Sequence, residues 1–309
     1  MKQSIEYYYN LNLEDLKVYK NYAVFNYNNN KYYYVFLPRN PKELEDIIYC
    51  SREMKKRGIN CHDIIYNKFN DVISTFGEDN YVLLKINKNE LNKLDIFDLV
   101  DNGAKLSLSN NKFNLYRNEW GKLWAAKIDY FEDQIRQLGK NKKGIINSFS
   151  YYIGLAENAL IYYNATQKTE TLDYNVDKIV LSHRRIFYPN IWLNYANPLS
   201  FVFDLEVRDV AEYLKSMFFK EGIKETLEET KAYLKIKNLS KYSYQMFYAR
   251  LLFPSYYFDV YEKVMNEELE EEALIDIVDK VNDFEQYLKE VYLEIYKHIE
   301  IEKIPWLIK

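Results

Sequence analysis

The chain has 309 residues and a formal charge of −4, from 42 Lys and Arg against 46 Asp and Glu. That length suggests about two domains or lobes and can bury a core without disulfides. With only 8 glycines and 6 prolines, collagen, flexible linkers and low-complexity disorder are excluded, and so mixed a charge balance does not announce nucleic acid.

No apolar run approaches the ~18 residues of a membrane span, and the opening Met1-Lys2-Gln3-Ser4-Ile5-Glu6-Tyr7 lacks the apolar core of a signal peptide. Cys50 and Cys61 are too few for a disulfide scaffold or a cysteine zinc site, which predicts free thiols in a reducing compartment. Residues 1–87 read as β-rich with one helix. Val18 to Tyr27 and Lys31 to Leu37 are aromatic and β-branched, and Asn28-Asn29-Asn30 between them predicts a hairpin. Pro41 to Arg57 predicts a helix, with Pro in its first turn, acids early, bases late and Gly58 as its stop. Two strands follow, near Asp71 to Thr75 and Tyr81 to Ile86, turned by Gly77-Glu78-Asp79-Asn80.

From about residue 88 to 309 the pattern is helical, with a β insert around 177–204. Asn118 to Leu138 carries Trp120, Leu123, Trp124, Ile128 and Phe131 at helical spacing. Ile145 to Tyr163 is apolar on most sides and predicts a buried central helix. Short strands are expected at Asp177 to Leu181 and Leu199 to Phe203. Helices are expected over about 206–220, 222–235, 239–252, 255–266 and 269–300, the acidic run Glu267 to Glu272 forming a solvated first turn of the last. A small antiparallel sheet with one helix, followed by a larger helical lobe with a β insert, is the element order of a bilobal protein-kinase-like α+β fold.

The insert holds the segment with chemistry in it. A kinase catalytic loop reads H-R-D-L-x-x-x-N. This chain has His183, Arg184, Arg185, Ile186 and, at the Asn position, Asn190. Asp204 follows at the end of an apolar strand, where kinases place an acid that holds Mg²⁺. In such a loop the Asp accepts the substrate's hydroxyl proton, and the Asn and later acid hold metal. Arg185 stands at the Asp position. Guanidinium offers only donors and stays protonated, so it cannot act as that base. No G-x-G-x-x-G or G-x-x-x-x-G-K-[ST] occurs, and the first glycine is Gly58. The strand position for a phosphate-binding Lys falls on Leu37, with Lys31 and Arg39 flanking it, so Glu43, Glu45 or Glu53 has no partner of that kind. The three histidines, His62, His183 and His298, lie too far apart in sequence to suggest a metal site.

Trp120 to Gln134, Ser148 to Tyr162, Leu181 to Ile186, Phe203 to Lys215 and Leu251 to Pro254 resemble the spore-coat kinase-like proteins of the CotS and YutH type. These in turn resemble aminoglycoside phosphotransferases. The resemblance implies a bilobal phosphotransferase fold, synthesis in the mother-cell cytoplasm of an endospore former, deposition in the spore coat, and other spore-coat proteins as partners. It maps Arg208 and Asp209 to the motif that anchors the loop's helix to the core, a structural role.

The reading of the whole sequence is a catalytically inactive, structural kinase-like protein, with no nucleic acid, no membrane span and no cofactor. The alternative is an active phosphotransferase of unorthodox base that uses Mg-ATP, with Asn190 and Asp204 as metal-nucleotide ligands and an acid such as Asp173, Asp177 or Glu206 near Arg185. Under the first reading Asn190 caps a turn and Asp204 pairs with Arg185 or Arg208. The 32 tyrosines fit AT-rich coding. Tyr7-Tyr8-Tyr9 and Tyr32-Tyr33-Tyr34 are the runs where exposed rings for contacts or cross-links are expected.

Overall fold

The computed structural model describes residues 1–37, 40–87, 94–107, 113–138, 142–189 and 195–308. The chain divides into two units: 1–93 with 108–116 and 190–203, and 94–107 with 117–189 and 204–309.

In the first unit the asparagine run makes the expected hairpin. Asn28 and Asn29 take φ of +46° and +61°, the left-handed region that short polar side chains tolerate. Strand β2 (Tyr22–Tyr27) thereby pairs antiparallel with β3 (Asn30–Phe36). Beyond β1 (Lys17–Val18), the sheet continues through β4 (Asp63–Ile65), β5 (Ile73–Phe76) and β6 (Asp79–Lys85). Its order is β1-β2-β3-β6-β4, with β5 also on β6. Strand alternation puts Tyr34 wholly inside, stacked on Tyr81 at 4.8 Å between ring centres, with its hydroxyl held by Ser4 and Ser74.

The sequence places one helix in residues 1–87; the structure has two. Residues Lys2–Tyr9 form α1, not a strand. The aromatic triplet favours strand by propensity. Helical spacing instead buries Ile5, packs the half-buried Tyr9 against the same cluster and leaves Tyr7 56% exposed. The helix ends at Asn10, φ +50°. Helix α2 (Pro41–Lys56) behaves as its sequence reads: Asn40 accepts a hydrogen bond from the Lys42 amide at 3.0 Å, and Gly58 closes it at φ +79°.

The second unit is built on α3 (Ile96–Ala104), α4 (Trp120–Leu138) and α5 (Lys143–Thr169). Strand β7 (Ile179–His183) lies in this unit, as do Asp204 and Leu205, the last two residues of strand β8 (Phe201–Leu205). Then come α6 (Val207–Glu221), α7 (Ile223–Ile236), α8 (Lys241–Leu252), α9 (Ser255–Met265), α10 (Ile275–Val278) and α11 (Val281–Tyr296). Helix α5 packs on α4 and α8, and α6 packs on α7 and α8. Flat aromatic contacts fill the spaces: Trp124 lies on Phe253 at 4.5 Å and Tyr152 on Tyr257 at 3.8 Å. Gly121 is required where α4 meets α5, because a Cβ there would stand 2.7 Å from the Tyr163 ring.

The expected helix over 269–300 is broken into a 3-10 turn (Glu271–Leu274), α10 and α11. Its acidic run does not simply face water. Glu271 accepts a 2.7 Å hydrogen bond from the Gly144 amide and so caps the start of α5 instead of its own helix. Cys50 and Cys61 are buried, unbridged thiols. Among the described residues no helix is long and apolar enough to cross a membrane, and no cluster of potential metal ligands is found.

Candidate functional site

Strand β7 delivers His183 to the start of a loop that is tied down from one side. The His183 amide donates to Asp209 Oδ1 at 2.9 Å, and its Nδ1 lies 2.6 Å from Asp209 Oδ2. One residue earlier on α6, Arg208 donates from Nε to the His183 carbonyl at 2.8 Å and from a second nitrogen to the Arg184 carbonyl at 3.4 Å. The first turn of α6 therefore fixes the loop backbone through Arg208 and Asp209. Two turns further on, Ser216 accepts from the Tyr188 amide at 2.8 Å.

Arg185, at the base position, has a committed partner. It makes a two-pronged bond to Asp259 of α9, Nε at 2.9 Å and Nη2 at 3.2 Å, and lies 4.0 Å from Glu212. Burial works against this charge, but Asp259 and Glu212 outweigh it and hold the guanidinium above its ordinary pKa. The fork-to-carboxylate geometry is the strong form of an ion pair.

Asp204 is buried and fully engaged. Its Oδ2 accepts from Trp120 Nε1 at 2.8 Å and from Arg208, and its Oδ1 accepts from the Leu205 amide at 2.7 Å. Burial pushes this carboxyl up, opposed by the Arg208 and Arg250 charges and the hydrogen bonds of Arg208 and Trp120. Of the two expected pairings for Asp204, Arg208 takes it and Arg185 goes elsewhere. Asn190 lies outside the described residues, as does Arg39.

Behind the loop sits an ionic network that single-residue motifs did not reveal. Glu212 is buried, 3.0 Å from Lys215 Nζ and 3.2 Å from Arg250 Nε, and accepts from Ser255 at 3.2 Å. Lys215 also donates to the Arg250 and Phe253 carbonyls and to Ser255, at 2.9, 3.2 and 2.7 Å. Burial disfavours the Glu212 charge, but Lys215, Arg185, Arg250 and Arg208 hold its carboxyl well below the usual range. Burial pushes the Lys215 ammonium down to about 8, and Glu212 opposes it. The available signal was a Glu and a Lys three apart inside the apolar run Val210 to Phe218. Asp259, the lone acid in the first turns of α9, carried no motif.

The acids expected near Arg185 are engaged elsewhere. Glu206 pairs with Lys237 at 3.0 Å, and Asp177 accepts from the Asp173 amide and the Ser240 hydroxyl. In the first unit, the strand position expected for Lys is the buried Leu37. On α2, Glu53 bonds Lys56 of its own helix at 2.7 Å and Glu45 is exposed.

A family described as "Spore coat putative kinase YutH" matches residues 2–291 of the chain. The "Endospore coat-associated protein YutH" of Bacillus subtilis (strain 168) is 26% identical over 320 residues, covering 93% of this chain and 91% of that protein. Among solved structures, an aminoglycoside phosphotransferase of Alicyclobacillus acidocaldarius superposes with a TM-score of 0.58 at 12% identity, over 96% of this chain and 97% of that one. The AMP-bound spectinomycin phosphotransferase gives 0.57 at 11% identity, over 94% and 96%. These likenesses show a kinase-like α+β fold. With a family match that runs nearly end to end, the chain belongs to the family of the spore coat putative kinase YutH.

Proposed function

We propose that this protein is a catalytically inactive member of its family that serves the spore coat as a structural, assembly-mediating component. The observation that carries the reading is Arg185, a permanent cation locked onto Asp259 by two hydrogen bonds where phosphoryl transfer needs a proton acceptor. Asp204, whose oxygens are taken by Arg208, Trp120 and a backbone amide, supports it. So does the absence from the sequence of a glycine-rich phosphate loop. The coat location rests on the family and on the name of the Bacillus subtilis relative. Deposition follows synthesis in the mother cell, and the partners are other coat proteins.

The test is incubation of the purified protein with γ-labelled ATP, Mg²⁺, and coat extract or small alcohols and amines as acceptors. No label transfer above a protein-free blank is expected, and Mg-ATP should leave the melting temperature unchanged. Label transfer abolished by Asp204→Ala refutes the proposal. Recovery of the chain in the coat fraction of spores is expected, and its confinement to the spore core refutes the coat assignment.

A further inference from the structure

The second unit contains a cavity of about 160 Å³ beside Arg185. Its walls are of two kinds. Trp120, Trp124 and Phe253 give flat aromatic faces, while Arg185, Arg208 and Arg250 bring guanidinium groups. Lys127 and Lys215 also reach it. The carboxylates bonded or close to these cations are Asp204, Glu212, Asp259 and Glu262, so five positive charges meet four negative ones. One positive charge is left in excess.

That excess has an address. Arg208 donates to Asp204 and to two carbonyls, Arg185 to Asp259 and the Arg184 carbonyl, and Lys215 to four acceptors. Arg250 differs. It is only 4% exposed, its Nε stands 3.2 Å from Glu212 in a direction that makes no hydrogen bond, and its guanidinium lies 4.4 Å over the Trp120 ring. None of its side-chain N–H groups donates a hydrogen bond to a described residue. Buried polar groups are nearly always satisfied, and an unused guanidinium fork aimed into a cavity is matched by a planar or tetrahedral oxyanion.

We propose that this cavity binds a small oxyanion, a carboxylate or a phosphate, seated on Arg250 with its body against the aromatic faces. The volume is close to the ~150 Å³ that holds a benzene ring. The carboxylates already present compensate all but one of the positive charges, so the excess charge at Arg250 is what disfavours cationic ligands such as amines and sets the preference. Binding does not depend on whether the chain transfers phosphate.

The experiment is isothermal titration of the full chain with inorganic phosphate and, separately, with benzoate, at ionic strength held constant with sodium chloride. Saturable binding of at least one is expected. Phosphate alone assigns a phosphate site, and benzoate alone assigns a carboxylate with an apolar body. Arg250→Met should weaken the binding about tenfold to a hundredfold, the loss of charge-assisted hydrogen bonds. Because Arg250 also faces Glu212, a second variant guards against a folding failure. Leu123 lines the cavity, is 57% exposed and belongs to no polar network, so Leu123→Trp narrows the cavity without touching the charges. It should abolish binding while leaving the melting temperature of the free protein unchanged. No saturable heat with either anion, or binding that survives both substitutions, overturns the proposal.

Discussion

Restoring the missing acid by Arg185→Asp tests whether the network has been rebuilt around the arginine. Arg185 and Asp259 side chains are 28% and 22% exposed, so their pair lies between the buried and surface cases. Breaking a fully buried pair costs about 3–5 kcal/mol and a surface one ~0–1. The substitution removes both prongs, so a loss of about 2–3 kcal/mol follows. It also sets a new carboxylate beside Asp259 and near Glu212, adding roughly 1 kcal/mol of repulsion. Unfolding entropy of ~2.1 cal/mol/K per residue makes 3–4 kcal/mol in a chain of this size about a 5 °C fall in melting temperature. Calorimetry or circular dichroism reads this directly. Adding Asp259→Arg restores an opposite-charge pair, although Lys127 at 3.9 Å from Asp259 limits the gain. About half of the loss should return, a coupling of ~2 kcal/mol. If Arg185→Asp melts within about 1 °C of the parent, the pair is not what holds the loop. ATP turnover in that variant would mean that the remaining site is competent.

Further outcomes follow from the same packing. Tyr152, Tyr162, Tyr163, Tyr213, Tyr233, Tyr248, Tyr257, Tyr261 and Tyr287 are buried, and burial pushes their hydroxyls up, to about 12 for Tyr163 and Tyr257. Above the unfolded value the unfolded chain releases these protons and the folded one keeps them, so stability falls as pH rises. One unit above ~10, each contributes about 1.4 kcal/mol of loss. Nine together match the ~5–15 kcal/mol of a typical fold, so after the exposed rings such as Tyr7 have ionised, the remaining phenolate absorbance should appear together with the loss of helical signal in one alkaline transition. Ionisation of all 32 tyrosines with the helical signal intact would refute this. Glu212 works in the opposite direction. Its lowered pKa stabilises the fold above the unfolded value of ~4.3, and that contribution is lost as pH falls below it. Glu212→Gln should therefore flatten the acid limb of the stability profile, and an unchanged limb would remove Glu212 from the account. Gly121→Ala forces a contact with Tyr163 and should cost about 1–3 kcal/mol, read as a lower melting temperature.

The sequence alone determined the fold class, because its signals are local. Asparagines that tolerate positive φ, a proline and glycine bracketing α2, and helical spacing of Trp120 to Phe131 each specify their own element. The degenerate loop was likewise legible, since His183, Arg184, Arg185 and the later Asp204 sit at motif spacing. Local pattern failed where long-range packing outweighed it. Tyr7-Tyr8-Tyr9 became helix because that face buries Ile5 and packs Tyr9 against the same cluster, and Glu271 capped a helix begun more than a hundred residues earlier. The charge network was decided only in three dimensions. Arg185 meets Asp259 across 74 residues and Lys215 meets Ser255 across 40, and no spacing rule reaches so far. Electrostatic energy depends on distance and burial in the folded chain, so which carboxylate each buried cation chooses is settled only when the helices pack.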